Sequence, residues 1–180
     1  MKSIFVLLVL SVFMAKAQEI EKALQEIRQE YHNIESNLSD YTTKTISVDH
    51  QSTEGGYATA YLQDNQIKAI KAGFAGETGK NFYDFYYNQE GLLFVLATRH
   101  QYNRPFYWDA EAAKESGDNE VFDEAKTKIV EQCYYFKNDV LIHGLDNDKK
   151  KVNLEEEKML SGQKELLELS ETLKKDIAKY

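Results

Sequence analysis

The apolar positions change period twice along the chain. Between residues 18 and 38, Ile20, Leu24, Ile27, Tyr31, Ile34 and Leu38 follow one another at alternating steps of four and three. That spacing lays one apolar stripe along a helix, with Glu19, Glu21, Lys22, Glu26, Arg28 and Glu30 on the other faces. It predicts an amphipathic helix over 18–40. From Thr42 to Asp146 the period falls to two, and Gly, Asn and Asp punctuate it. Residues 152–180 return to helical spacing: Met159, Leu166, Leu173 and Tyr180 recur every seventh position, and Asn153-Leu154-Glu155-Glu156 resembles a capping box. Gly162 interrupts this second helix and predicts a kink or a division into two shorter helices.

Three segments of the middle region share one form, in which aromatics lead into a polar turn and aliphatics follow. They are Tyr61-Leu62-Gln63-Asp64-Asn65-Gln66-Ile67, Phe85-Tyr86-Tyr87-Asn88-Gln89-Glu90-Gly91-Leu92-Leu93 and Tyr134-Tyr135-Phe136-Lys137-Asn138-Asp139-Val140-Leu141-Ile142. Aromatic and β-branched residues suit cross-strand pairs, and short Asn/Asp/Gly turns suit hairpins. The connections are too short for helical crossovers, so the strands run antiparallel. Six strands follow, with a seventh over 43–48. The segment 92–97 is apolar on both faces and reads as a central strand covered on both sides, by the two helices and by the long insertion 102–126. The predicted fold class is α+β: an antiparallel meander of six to seven strands, with an N-terminal and a C-terminal amphipathic helix, in a single domain over 18–180.

The first 17 residues have a different character. Lys2 precedes an apolar run from Ile4 to Met14, and Ala15-Lys16-Ala17 places small residues before Gln18. This is the order of a signal peptide, and the run is too short to span a membrane. The expectation is an exported protein of the periplasm or extracellular space, with no membrane span. The formal net charge is −8, and Lys2 and Lys16 leave with the leader. A chain this acidic repels phosphate backbones, which argues against nucleic acid as a partner. One Pro and one Cys exclude collagen-like and disulfide-framework classes.

Candidate chemistry is sparse. His32, His50, His100 and His143 show no paired ligand spacing, so no metal site is assigned. Strand parity places His100 with Phe94 and Leu96, and His143 with Leu141 and Leu145. Cys133 reads as a small buried apolar group. Gly76-Glu77-Thr78-Gly79-Lys80 lacks the full phosphate-loop spacing and reads as a tight turn. The acidic residues of 109–124 lack the loop pattern of a calcium site and read as a solvated face. No catalytic residue and no cofactor is assigned. The most distinctive stretch runs from Arg99 to Asp109. Arg99, Tyr102, Arg104, Tyr107 and Trp108 are its candidate ligand-binding residues, since aromatic rings beside guanidinium groups make recognition surfaces. The alternative is that the aromatics seal a sheet face while Arg104 pairs with Asp109.

Gly76-Glu77-Thr78-Gly79-Lys80, Tyr102-Asn103-Arg104-Pro105, Gly117-Asp118-Asn119-Glu120-Val121-Phe122-Asp123 and the Tyr134-Tyr135-Phe136 hairpin resemble segments of secreted proteins of Bacteroidota. The resemblance covers residues 42–148 and implies an exported compartment without implying a chemistry. The hairpin unit is also similar to MORN-like antitoxin-type repeats, with irregular spacing. The functional expectation is a non-enzymatic binding or interaction protein of the bacterial cell envelope, with a protein or small molecule as ligand. Two alternatives stand beside it. One is an envelope hydrolase using acidic residues and a His near 99–124. The other is a carrier of an apolar ligand.

Overall fold

Every strand of the computed structural model, which describes residues 2–48 and 52–179, pairs antiparallel with its neighbours in sequence. His50 and Tyr180 lie outside the described residues. The sheet is a seven-stranded meander of β1 (Thr42–Ser47), β2 (Gly56–Gln63), β3 (Gln66–Gly76), β4 (Gly79–Asn88), β5 (Gly91–Gln101), β6 (Lys128–Lys137) and β7 (Val140–Leu145). Helix α1 (Lys2–Ser36) packs on one face and helix α3 (Glu157–Lys179) on the other. A short helix α2 (Ala110–Glu115) lies in the insertion between β5 and β6. The architecture is α+β, as the periodicity predicts.

The two cores follow from strand parity. Toward α3 lie Ile70, Phe85, Val95 and Tyr134, which are consecutive cross-strand partners, under Met159, Leu166, Leu173 and Ile177 of the helix. Toward α1 lie Ala69, Tyr86, Phe94 and Tyr135, again consecutive partners, under Leu24, Ile27 and Ile34. Burying a large apolar side chain of this kind stabilises by about 1.5–3 kcal/mol. Met159, Leu166 and Leu173 of the heptad stripe are buried, and the helix runs through Gly162 without a break. In α1 the buried stripe begins at Ala23 and Leu24, while Ile20 is exposed. The strand predicted to be central is β5, and one helix covers each of its faces.

The three similar hairpins share one irregularity. Pairing steps from Tyr61–Ala69 to Leu62–Ile67, from Tyr86–Phe94 to Tyr87–Leu92, and from Tyr135–His143 to Phe136–Leu141. Lys68, Leu93 and Ile142 are therefore the extra residues of three bulges at equivalent places. Two of the turns, Asp64-Asn65 and Asn138-Asp139, hold both residues at positive φ, the mirror-image turn that fits the strand twist. In the third, Asn88 Oδ1 accepts the Glu90 N–H at 2.8 Å and Gly91 takes φ 121°. Asp139 Oδ1 also accepts the Leu92 N–H at 3.0 Å, tying adjacent turns together.

The bulges correct the parity reading of His143. Leu141 belongs to the α3-side core, whereas His143 packs edge-on against Tyr135 of the α1 side at 5.5 Å. The extra residue at Ile142 shifts everything beyond it to the opposite face. The insertion 102–126 also differs from expectation. It covers neither face, but docks on the β3–β4 turn, where Thr78 and Glu77 carbonyls accept the Tyr102 and Phe106 N–H groups at 3.0 and 2.9 Å.

Candidate binding site between the C-terminal helix and the sheet

A slot lies between helix α3 and the ends of β4, β5 and β6 that meet the β3–β4 turn and the insertion. Cross-strand register sets its floor as two rows. Asn81, Arg99 and Val130 form the outer row, and Tyr83, Ala97 and Gln132 the inner one, with Tyr134 behind it. From α3, Met159, Gly162, Glu165 and Leu166 line the opposite wall. The space is about 710 Å³ and opens to solvent. Two small residues face it: Ala97 stands between Tyr83 and Gln132, and a Cβ built on Gly162 meets no atom within 4 Å.

Among the described residues, Arg99 and Glu165 make no ion pair, and the Tyr83 and Tyr134 hydroxyls have no protein partner. Glu165 accepts only the Ser161 hydroxyl, at 2.8 Å. Burial pushes the Tyr83 phenol up, the Glu165 carboxylate adds to the effect, and Arg99 opposes it. Burial likewise raises Tyr134, with Tyr83, Cys133 and Glu165 contributing in the same direction. The arrangement therefore offers an aromatic wall, a cation on the sheet and an anion on the helix. It can hold a ligand with both an apolar surface and charge.

The residues singled out in the sequence do not converge. Only Arg99 enters the slot. Arg104 is held within the insertion: its Nε and Nη2 donate to Asp118 at 2.6 and 3.1 Å, its Nη1 donates to the Asn103 carbonyl at 2.8 Å, and Glu120 lies 3.3 Å from Nη2. Its partner is thus Asp118, while Asp109 caps α2 by accepting the Glu111 and Ala112 N–H groups, both at 3.0 Å. Tyr102 packs edge-on against Phe122 at 5.2 Å. The exposed Tyr107 donates its hydroxyl to Glu77 at 3.1 Å. Trp108 is half-buried, its indole N–H enclosed without a protein acceptor.

The acidic stretch is likewise spent on the protein itself. Asp118 pairs with Arg104, Asp123 caps the 3₁₀ turn at 124–126, and Glu120 accepts Lys126 at 2.8 Å. Among the described residues no group of three or more His, Cys, Asp or Glu is placed to hold a metal ion. His100 packs edge-on against Phe82 at 5.2 Å on the face opposite Arg99. Cys133 is buried in the α1-side core, and burial raises its thiol.

A polar network beneath α1 had no counterpart in the sequence reading. Tyr86 donates its hydroxyl to Glu35, Lys71 Nζ lies 2.9 Å from Glu35, and Asp84 lies 3.8 Å from Lys71. Lys71 and Asp84 are cross-strand partners, and Thr45 and Thr59, hydrogen-bonded at 2.9 Å, extend the same row. These groups fasten the end of α1 to the sheet. In the slot, Tyr83 and Glu165 are likewise absent from the sequence reading, and Gly162 reads there as a kink and not as part of a site. A glycine inside a strongly patterned helix was their one local signal.

No protein-family model, curated protein or solved structure matches the chain.

Proposed function

We propose that this chain is an exported, non-enzymatic binding protein of the bacterial cell envelope, and that its ligand seats in the slot between α3 and strands β4–β6. The observation that carries the reading is the slot itself: a concave space with an aromatic wall, faced by Ala97 and Gly162, whose charged groups make no ion pair. Export is supported by the Lys2, apolar-run and Ala15-Lys16-Ala17 series ahead of Gln18. A hydrolase would need a His and carboxylates in one cleft, and His100 instead packs on Phe82 across the sheet from the slot. A carrier would need an enclosed apolar cavity, whereas the slot opens to solvent and bears Arg99 and Glu165 on its walls.

The test is a thermal-shift and NMR titration of envelope peptides, saccharides and small metabolites against the wild type and Gly162→Leu, which projects a large side chain into the slot. A ligand that stabilises the wild type and spares the variant is the expected result. Ligands that bind both equally, or that are turned over, would defeat the reading. Intact-mass measurement on protein from the native host tests export, with a chain beginning at Gln18 expected and one beginning at Met1 contrary to it.

A further inference from the structure

We infer that the slot takes a small zwitterion of the amino-acid class, a free amino acid or dipeptide, with its carboxylate on Arg99 and its ammonium on Glu165. This rests on the slot being the binding site. Arg99 stands on β5 and Glu165 on α3, so the two charges occupy opposite walls, and they do not pair with each other. Both act on the phenol of Tyr83, in opposite directions, which places the aromatic ring within the field of each.

Covering charges with a ligand removes water from them, and a charge covered without a partner is costly. A neutral ligand would cover both Arg99 and Glu165 unpaired. A purely anionic one would face Glu165, and a purely cationic one would face Arg99. A molecule carrying both charges answers both walls at once, and its side chain can lie along Tyr83 over the small Ala97. Lys158 at the rim gives the slot a second cation. The carboxylate half of the ligand should therefore contribute more than the ammonium half.

The probes are the twenty common amino acids in both enantiomers and a set of dipeptides, titrated by calorimetry and by NMR. The best binder is then compared with its deaminated carboxylate and its decarboxylated amine. Each half-ligand should bind at least tenfold more weakly than the zwitterion. Arg99→Gln should weaken the zwitterion at least tenfold and strengthen the amine, which no longer faces that cation. Glu165→Gln should weaken it by a smaller factor and strengthen the carboxylate, which no longer faces an anion. Both substitutions are at exposed positions, and matching melting curves confirm that the variants fold. Half-ligands binding as tightly as the zwitterion, or no binding by any amino acid or dipeptide, would overturn the inference. If another ligand class binds and Gly162→Leu abolishes it, the slot stands and the zwitterion falls. If zwitterions bind the wild type and Gly162→Leu alike, both fall.

Discussion

The Tyr87 hydroxyl and the Ser170 hydroxyl meet at 2.9 Å in the core between β4 and α3. Both side chains are buried, and Lys174 Nζ lies 4.3 Å from the centre of the Tyr87 ring on its way to solvent. Together with the buried stripe of Met159, Leu166, Leu173 and Ile177, this pair sets which side of α3 faces the sheet. A buried hydroxyl is tolerable because its partner is equally buried.

The pair should therefore behave non-additively. Ser170→Ala leaves the phenol unpaired, and Tyr87→Phe leaves the serine unpaired, each at a cost of about 1–3 kcal/mol. The double variant removes both groups and should cost less than the sum of the singles. Urea unfolding of the four proteins measures this. Strict additivity would show that the contact contributes no coupling.

A pH-dependent effect should come from the network under α1. Burial pushes the Asp84 carboxyl up, and Glu35 adds to that, while Lys71 pulls it down without cancelling the shift. A carboxyl raised above its unfolded value of about 4 contributes stability in its protonated form, below that value, and loses it as pH rises through the folded pKa. Asp84→Asn should thus match the wild type in acid and become relatively more stable toward neutral pH. Lys71→Met should do the reverse at neutral pH. It leaves Glu35 and Asp84 without a cation and should cost about 1–2 kcal/mol, between the exposed and fully buried ranges. Thermal melts from pH 3 to pH 8 test both, and an Asp84→Asn difference independent of pH would refute the assignment.

The insertion between β5 and β6 is held mainly by its own contacts, so it should open before the sheet does. Arg104 is its centre, through Asp118 and Glu120. Arg104→Ala should make 102–126 the first site of proteolysis and speed its amide exchange, with little change in the melting of the sheet. Arg104 also holds the Asp118 carboxyl below its ordinary range. The clamp is present above about pH 4, and persists as the pH falls until the lowered value is crossed. Exchange in 102–126 that already accelerates at pH 5 in the wild type would contradict this.

Local chemistry decides which parts of this structure are legible in the sequence. The hairpins are readable because Asp64-Asn65 and Asn138-Asp139 adopt the conformation their residue types favour. The helices are readable because each buries one stripe. The face of His143 is not, because a bulge carries no residue-type signature and inverts parity beyond it. Glu35, Lys71, Asp84 and Tyr86 are far apart in sequence and meet only once α1 lies on β3 and β4. The slot is half-legible: Arg99 stands out among aromatics, but Glu165 is one of many helix acids until the helix is placed over the sheet. The aromatic segment 102–108 stood out for its composition, and its chemistry is consumed locally, by Asp118, Glu77 and Phe122.

Gly162 gives the sharpest separation of stability from function. A glycine inside a helix costs about 1 kcal/mol relative to alanine, and the cost is usually accepted where a side chain would obstruct something. Here nothing of the protein lies within 4 Å of a Cβ at this position, so Gly162→Ala meets no clash. It should raise stability by about 0.5–1 kcal/mol, by lowering the entropy of the unfolded chain and strengthening the helix. Its methyl group enters the slot beside Glu165 and should weaken ligand binding modestly, where Gly162→Leu abolishes it. Denaturant unfolding and ligand titration on the same two variants decide the matter. A destabilised Gly162→Ala would mean that the glycine serves the path of the helix. A stabilised variant that binds as well as the wild type would mean that the open space at Gly162 has no part in recognition.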